Sequence, residues 1–218
     1  MIQHIAIIPD GNRHWARAHG LPNTAGYPQG IKVIERCCFW AIENNIPYIS
    51  FYCFSTENLV KRPQEEVDNF MQMAMDYTKD GLDYYLNMNI QVCFNGRKDR
   101  LPSHIIQAIE EVEQATAHCT KLKLILCIDY GGRNEIVQAI AAGAKTEDEI
   151  SDFMKRIAPD PDIIVRTNNI RRLSNFMLWQ ASYSELFFIE KYFPDLQLND
   201  LDNVLIEYEN RERYYGGS

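Results

Sequence analysis

The most polar turn of the sequence directly follows its first apolar run. It reads Asp10-Gly11-Asn12-Arg13-His14. Glycine lets a backbone approach a ligand closely, and the backbone amides that open a following helix can face an anion. A carboxylate repels an anion unless a cation lies between them, and Mg²⁺ is usually held by one or two carboxylates together with substrate phosphates. The turn therefore predicts a magnesium and phosphate site. The competing interpretation is that Asp10 or Asn12 only caps a helix.

A second group of polar side chains, rich in arginine, lies in the last quarter of the chain. Arg166, Arg171, Arg172 and Ser174 fall within nine positions, and Arg213 lies near the carboxyl terminus. Clustered guanidinium groups suit a diphosphate because they bind it through charge-assisted, often bidentate hydrogen bonds. A solvated basic loop is the alternative. The sequence contains no Walker motif, GxGxxG or HExxH, so nucleotide hydrolysis and zinc proteolysis have no support.

The elements that must position these residues follow from the hydrophobic pattern. Six short apolar runs predict buried strands at 4–9, 48–54, 90–94, 122–128, 163–166 and 185–189. Amphipathic stretches predict helices at 29–44, 64–77, 103–117, 133–142 and 198–213. Strands that alternate with helices indicate an α/β fold with an open, mostly parallel six-stranded sheet flanked by helices.

Polar turns follow five of the predicted strands. They lie at 9–12, 55–58, 95–97, 129–133 and 166–169. One polar turn is ordinary loop chemistry. In a parallel sheet, however, the carboxyl ends of the strands share one edge, and ligands bind outside that edge. Five such turns therefore predict a binding site there.

Composition excludes several classes of protein. The chain has 218 residues, a length that indicates one domain spanning 1–218. Its net charge of −8 argues against a nucleic-acid surface, which would need an excess of basic residues. No apolar run approaches the roughly 18 residues of a membrane span, and the amino terminus has no signal pattern. We therefore expect a cytoplasmic protein without stable membrane association. The overall charge still allows a local basic pocket for an anionic small molecule.

Several motifs together carry a resemblance to a known family. They are IPDGNRHWA at 8–16, FSTEN at 54–58, YGGR at 130–133, RRLSNFMLWQASYSEL at 171–186 and NRERYYGG at 210–217. In this order they are similar to the cis-prenyltransferase family, whose fold is that of undecaprenyl diphosphate synthase. The resemblance covers nearly the whole chain. It implies a homodimeric enzyme that joins isoprenoid diphosphates with the help of Mg²⁺.

The resemblance also implies roles for individual residues. Asp10 would bind the metal ion and help the allylic diphosphate to ionise, and Glu185 matches an acidic position associated with the metal. The residues implied for the first diphosphate are Gly11, Asn12 and Arg13, and those for the second are Arg166, Arg172, Ser174 and Arg213. Ser55 and Asn58 would lie near the reacting carbons, and Arg62 belongs to an Arg-Pro pair implied in substrate binding.

The chain departs from the family pattern inside these motifs. The positions that differ are His14 and Asn23, where basic residues are usual, Tyr27-Pro28, Leu59-Val60 and Asn168-Asn169-Ile170. Within the family the chain most resembles the cyclolavandulyl diphosphate synthase type. That type implies head-to-middle joining of two dimethylallyl diphosphates into a branched, cyclised C10 diphosphate. The alternatives are ordinary head-to-tail elongation with isopentenyl diphosphate and, in another class, a non-catalytic partner subunit.

Two further features bear on the product. His14 is a candidate proton acceptor, because a histidine with an ordinary pKa near 6.5 is largely neutral at pH 7, but it is equally suited to hydrogen-bond the diphosphate. Bulky side chains follow one another in the predicted helix at 64–77 and would fill a product tunnel. They are Phe70, Met71, Met73, Met75 and Tyr77. The alternative is that they are ordinary core residues at helical spacing.

Overall fold

Six parallel strands form the centre of the protein, whose computed structural model describes residues 1–212. The strands are β1 His4–Ile8, β2 Tyr48–Ser55, β3 Ile90–Asn95, β4 Leu122–Tyr130, β5 Ile163–Arg166 and β6 Glu185–Phe188. They are ordered β3-β4-β2-β1-β5-β6, and every neighbouring pair is parallel. The predicted α/β fold is therefore confirmed, and the sheet is parallel throughout rather than mostly so.

Helices connect successive strands and cover the sheet. They are α1 Asn12–Ala18, α2 Gly26–Glu43, α3 Thr56–Lys61, α4 Gln64–Asp80, α5 Leu82–Asn87, α6 Ser103–Thr116, α7 Gly132–Ala141, α8 Glu147–Met154 and α9 Leu198–Asn210. The five predicted helices correspond to α2, α4, α6, α7 and α9. The others span six to eight residues, which is too short for a helical period to stand out. No helix in the described range is long and apolar enough to cross a bilayer.

The core lies on both faces of the sheet because alternate residues of each strand point in opposite directions. In β2, Phe51 and Phe54 belong to the larger cluster, which also includes α2, α4 and α6 residues. Tyr52 belongs to a smaller cluster on the other face, where it stacks on Phe176. Strands buried on both sides explain why their sequences are nearly continuous apolar runs.

The central strands bring two distant polar turns together. Ile8 of β1 is paired with Arg166 of β5, so the residues that follow β1 lie beside the end of β5. The Thr167 hydroxyl donates a hydrogen bond of 2.6 Å to the Asp10 carbonyl and fixes the two turns to each other. The predicted edge of the sheet therefore carries residues from both ends of the sequence.

Candidate active site

A polar pocket of about 260 Å³ lies at the carboxyl ends of β1, β2 and β5. Most of the predicted site residues line it, namely Asp10, Gly11, Asn12, Arg13, His14, Ser55, Asn58, Arg62, Arg166 and Ser174. Three of these are arginines, and Asp10 is the one carboxylate among the described lining residues. The pocket is therefore locally cationic in a protein whose net charge is −8.

Arg166 and Asp10 form the central ion pair of the pocket. The Arg166 Nη2 lies 2.8 Å from the Asp10 Oδ2, and the Arg166 side chain is only 6% exposed. Its Nη1 donates to the Ser174 hydroxyl at 2.8 Å and to the Arg172 carbonyl. The Arg166 Nε is buried without a partner among the described residues. A fixed guanidinium with a free donor suits an oxyanion ligand.

A second cationic group forms the opposite side of the pocket. Glu66 of α4 accepts a hydrogen bond from Arg62 at 3.2 Å and forms an ion pair with Arg13 at 3.5 Å. Arg62 also donates to the Tyr27 hydroxyl at 2.9 Å and lies over the Phe54 ring at 5.1 Å. One carboxylate thus holds two pocket arginines in place without matching their combined charge.

The turn after β1 packs so closely against its neighbours that glycine is required at several contact positions. Gly11 has a φ of 105°, a left-handed conformation that glycine adopts without strain. Gly26 and Gly30 of α2 lie against Asn12, so closely that a Cβ on Gly30 would stand 2.5 Å from the Asn12 Oδ1. The Asn12 Nδ2 donates to the Pro9 carbonyl at 2.9 Å. Asn12 is therefore held from two sides and does not cap α1 through its side chain.

Ser55 and Asn58 lie at the pocket and also begin α3. The Ser55 hydroxyl accepts from the Asn58 amide at 3.0 Å, and the Asn58 Oδ1 accepts from the Ser55 amide at 3.3 Å. This reciprocal capping box satisfies two backbone donors at the start of a six-residue helix. Both side chains therefore have a structural task in addition to the reaction role expected for them.

The remaining predicted residues lie at the margin or elsewhere. Ser174 is exposed, and its hydroxyl accepts from the exposed Arg172 Nε at 3.3 Å. His14 lies at the mouth of the pocket, with its ring stacked against Tyr192 at 6.1 Å between centroids. Arg213 lies outside the described residues.

Glu185 is not brought to Asp10. It begins β6 and is paired in register with Ile163, three residues before the end of β5, or about 10 Å along the strand. Its Oε2 accepts from the Arg211 Nη1 at 2.6 Å. Within a single chain Glu185 therefore lies away from Asp10, because parallel strands put the first residue of β6 at the opposite edge of the sheet. Its association with the metal ion stays a prediction.

The residues around Asp10 fit magnesium held mainly by its substrate. Mg²⁺ prefers oxygen ligands and commonly takes only one or two from carboxylates, with phosphates supplying others. Asp10 is half-buried, and its carboxylate pairs with Arg166, one of the pocket arginines that would hold such phosphates. Among the described residues, no group of three histidine, cysteine or carboxylate side chains forms a complete metal cage. The donor set therefore fits a substrate-bridged ion rather than a structural metal.

An apolar cavity of about 90 Å³ adjoins the polar pocket. The two share four lining residues, Pro9, Asn12, Tyr27 and Cys53. From α4, Phe70, Met73 and Tyr77 line the cavity, whereas Met71 and Met75 are buried in the main core. Met73 and Tyr77 therefore fit the tunnel interpretation, Met71 and Met75 fit the core interpretation, and Phe70 fits both.

Two residues at the site were not assigned a role from the sequence. Tyr27 lines both the polar pocket and the apolar cavity, and it packs edge-on against Phe70 at 5.4 Å between ring centroids. Asn168 contacts both Asp10 and His14. The signal that could have identified them is that both depart from the family pattern, Tyr27 at the start of α2 and Asn168 in the turn after β5.

Known proteins resemble this chain over almost its full length. The family model described as "Putative undecaprenyl diphosphate synthase" matches residues 8–216. Isoprenyl transferases of Listeria monocytogenes serotype 4b and Thermotoga maritima are each 38% identical to it. The matches cover 99% of this chain in both cases, and 90% and 97% of those proteins.

Two solved structures extend the similarity to the fold. Lavandulyl diphosphate synthase from Lavandula x intermedia, in complex with dimethylallyl diphosphate, superimposes with a TM-score of 0.93 at 31% identity. That match covers 99% of this chain and 98% of the other. A probable undecaprenyl diphosphate synthase from Campylobacter jejuni gives a TM-score of 0.85 at 32% identity, with coverage of 100% and 99%.

Proposed function

Because the chain belongs to the undecaprenyl diphosphate synthase-like family of prenyltransferases, we propose that it condenses two dimethylallyl diphosphates head-to-middle. The product is a branched C10 diphosphate of the cyclolavandulyl type. The observation that carries the short product is the small apolar cavity beside the polar pocket. Tyr27, Phe70 and Tyr85 crowd it with aromatic rings, so it suits a short prenyl tail.

The balanced reaction needs no co-reactant. The C1–O bond of one dimethylallyl diphosphate breaks and releases diphosphate, which leaves a delocalised allylic cation. The internal alkene carbon of the second molecule then attacks C1, and the new tertiary cation loses a proton. Loss of a methyl proton gives a lavandulyl skeleton. If that proton is instead transferred to the remaining double bond, the new alkene closes a ring onto the resulting tertiary cation, and a final proton loss gives a cyclolavandulyl skeleton.

The pocket residues divide the two diphosphates between them in this proposal. Arg13 and the turn at Gly11-Asn12 hold the first diphosphate beside the apolar cavity, while Arg166 and Ser174 hold the second, with Arg172 at the margin. The family resemblance adds Arg213 as a further candidate for the second diphosphate. Asp10 holds the metal ion, and bound Mg²⁺ would neutralise charge on the departing diphosphate. Since Arg166 already pairs with Asp10, ligand binding replaces part of that ion pair.

The similarity to the lavender enzyme supports the irregular reaction. That structure is a complex with dimethylallyl diphosphate, the substrate proposed here, and it superimposes over almost the whole chain. We further propose that the chain acts as one catalytic domain and as a homodimer, as its family resemblance implies.

The second candidate is head-to-tail elongation with isopentenyl diphosphate. The isoprenyl transferases at 38% identity favour it, and so does the equally similar sequence of the Campylobacter protein. In that reaction the terminal alkene carbon attacks instead, and the same arginines hold both diphosphates. The small cavity then limits the product to a short chain.

Substrate omission separates these functions. We would incubate the protein and Mg²⁺ with dimethylallyl diphosphate, with or without isopentenyl diphosphate, and identify the alcohols after dephosphorylation. We expect a branched or cyclic C10 alcohol from dimethylallyl diphosphate alone. Product that requires isopentenyl diphosphate would overturn the proposal in favour of elongation. No product from any mixture, with Asp10→Ala unchanged from the parent, would favour a non-catalytic subunit.

A further inference from the structure

Two consecutive asparagines after β5 adopt a backbone conformation that favours glycine. Asn168 has a φ of 69° and Asn169 a φ of 50°. A residue with a Cβ pays a conformational cost in this left-handed region, although asparagine tolerates it better than most. A strained position that keeps a side chain points to a use for that side chain. The two asparagines differ in whether their side chains contact the polar pocket.

Asn168 contacts two side chains of the polar pocket, whereas Asn169 is exposed. The Asn168 Nδ2 lies 3.1 Å from the His14 Nδ1 and 3.5 Å from the Asp10 Oδ1. The Asn168 backbone is held as well, because its amide donates to the Lys191 carbonyl at 2.7 Å. The side chain is therefore fixed between a carboxylate and an imidazole.

The contact with Asp10 determines which way the Asn168 amide faces. An ionised carboxylate only accepts hydrogen bonds, so the amide nitrogen and not its oxygen must face Asp10. The same nitrogen carries a second hydrogen, which is directed at the His14 Nδ1. That ring nitrogen must then accept, and the neutral imidazole carries its hydrogen on Nε2.

We propose that Asn168 is a positioning residue that holds His14 as the neutral Nε2–H tautomer. His14 then donates a hydrogen bond to a diphosphate in the pocket that it lines and is not the proton acceptor. The lone pair that a base would need is on Nδ1, where Asn168 already donates to it. The inference rests on the proposed function only in taking a diphosphate as the ligand.

Tyr192 supports the same arrangement from the other side of the ring. The two rings are nearly parallel, 22° apart, at 6.1 Å between centroids. Stacking limits rotation of the exposed His14 ring, and Asn168 determines which nitrogen carries the hydrogen. Together they leave Nε2–H as the ring donor available to a ligand.

Paired glycine substitutions test the role of the Asn168 amide. Asn168→Gly and Asn169→Gly both relieve a left-handed residue, but only the first removes a contact with His14. Binding of inorganic pyrophosphate, measured by calorimetry in magnesium-free buffer, should weaken about fivefold to tenfold in Asn168→Gly, as for the loss of one ordinary hydrogen bond. Asn169→Gly should bind as the parent does, and neither variant should melt at a lower temperature.

A double-mutant cycle and a spectroscopic signature complete the test. In a His14→Ala background, Asn168→Gly should cause no further loss of pyrophosphate binding, because its effect passes through His14. Nitrogen NMR of histidine-labelled protein at pH 8, assigned with His14→Ala, should show the hydrogen of His14 on Nε2. Asn168→Asp should move that hydrogen to Nδ1, because a carboxylate only accepts.

Three results would overturn the inference. They are equal losses in the two glycine variants, an undiminished loss in the His14→Ala background, and an Nδ1–H tautomer in the parent. None of them depends on the product formed. A protein that shows the expected binding pattern but makes only head-to-tail products would instead overturn the proposed function alone.

Discussion

The ion pair between Asp10 and Arg166 determines what the pocket can bind. The Arg166 Nη2 donates a hydrogen bond to the Asp10 Oδ2 at 2.8 Å, and the Arg166 side chain is nearly buried. Removing one partner of such a pair leaves the other charge uncompensated, which is costly in a buried site. The pair therefore keeps the pocket ordered before a ligand binds, and it offers opposite charges to a metal ion and a diphosphate.

Asp10→Asn should abolish most of the activity without unfolding the protein. The amide keeps the size of the side chain but loses the charge that would hold a cation, so we expect kcat/KM to fall by roughly a hundredfold or more. Steady-state kinetics with dimethylallyl diphosphate, together with the melting temperature, would measure this. Asp76→Asn, an exposed change on α4, is the matched control. Parental activity in Asp10→Asn would contradict the assignment.

Residue types and their positions after strands predicted several of the side chains that line the polar pocket, but not all the contacts around it. Asp10, Arg13 and Arg166 were predictable because each stands just after, or at the end of, a strand of a parallel sheet. The separation of Glu185 from Asp10 within one chain was not predictable, because a motif match carries no information about which end of a strand a residue occupies. The Asn168 contact depends on side-chain packing that no local pattern encodes.

At the scale of elements, the close approach of α1 and α2 shapes the pocket. Gly26 and Gly30 lie one helical turn apart on the face of α2 that meets Asn12. Two positions without a Cβ allow the turn after β1 to lie against the helix. The position of Asn12, and with it the wall of both cavities, depends on these glycines.

Gly30→Ala should impair the site more than the fold. Its Cβ would stand 2.5 Å from the Asn12 Oδ1 and 3.4 Å from Phe193, so Asn12 must shift. We expect activity to fall about tenfold while stability falls by about 1–3 kcal/mol, as for other overpacked positions. Kinetics and urea unfolding would measure the two effects. The neighbouring Gln29→Ala should leave both nearly unchanged, and a fully active Gly30→Ala would refute this account.

The face of α4 that lines the apolar cavity should control tail length. Met73→Ala removes a cavity wall, so we expect kcat/KM for geranyl diphosphate to rise about tenfold relative to dimethylallyl diphosphate, in line with the volume of a few methylenes. Substrate competition assays would measure the ratio. Met71→Ala is the control, because Met71 is buried in the core: it should lose stability by about 2–5 kcal/mol without changing preference. A change in preference in Met71→Ala alone would contradict the cavity assignment.

Helical spacing predicted α4 but not the division of its side chains. A period of 3.6 residues indicates one buried face. It does not distinguish the part of that face that packs solidly from the part that borders an open cavity. That division depends on Tyr27 and Tyr85, which come from other elements. Helical spacing did not predict the short α3 at all, because six residues show no clear period. The capping box of Ser55 and Asn58 stabilises its start instead.

For the whole molecule, one buried histidine links stability to pH. His4 lies in β1, and its Nε2 is 2.7 Å from the Ser50 hydroxyl. Burial lowers the pKa of His4 to about 4, and the hydrogen bond to the Pro159 carbonyl only partly offsets this effect. The unfolded chain, where the pKa is near 6.5, therefore binds a proton at higher pH than the folded chain does.

Stability should fall as the pH drops from about 6.5 to about 4. Between these pH values, His4 alone lowers the free energy of unfolding by up to about 1.4 kcal/mol for each pH unit, because the chain must release a proton when it folds. Urea unfolding at several pH values would measure the slope. His4→Gln should make it shallower, whereas His118→Gln, at an exposed position, should not change it. An unchanged slope in His4→Gln would assign the loss to other groups.

The net charge of the chain does not indicate the local charge of its polar pocket. The acidic total disfavours a polyanionic partner, yet Arg13, Arg62 and Arg166 converge in one pocket. They come from three distant parts of the chain, so a sum over the sequence cannot show their convergence. The alternation of strands and helices did predict it, because that pattern places the strand ends along one edge.

The pairing of β1 with β5 also has a consequence for how the protein acquires activity. Asp10 and Arg166 are 156 positions apart, and they meet only when the first strand to be made pairs with the fifth. Contacts between such distant segments form slowly, since chain entropy opposes them until most of the sheet exists. During refolding, helical signal should return well before enzymatic turnover, and a chain truncated before residue 163 should retain helices without forming the pocket.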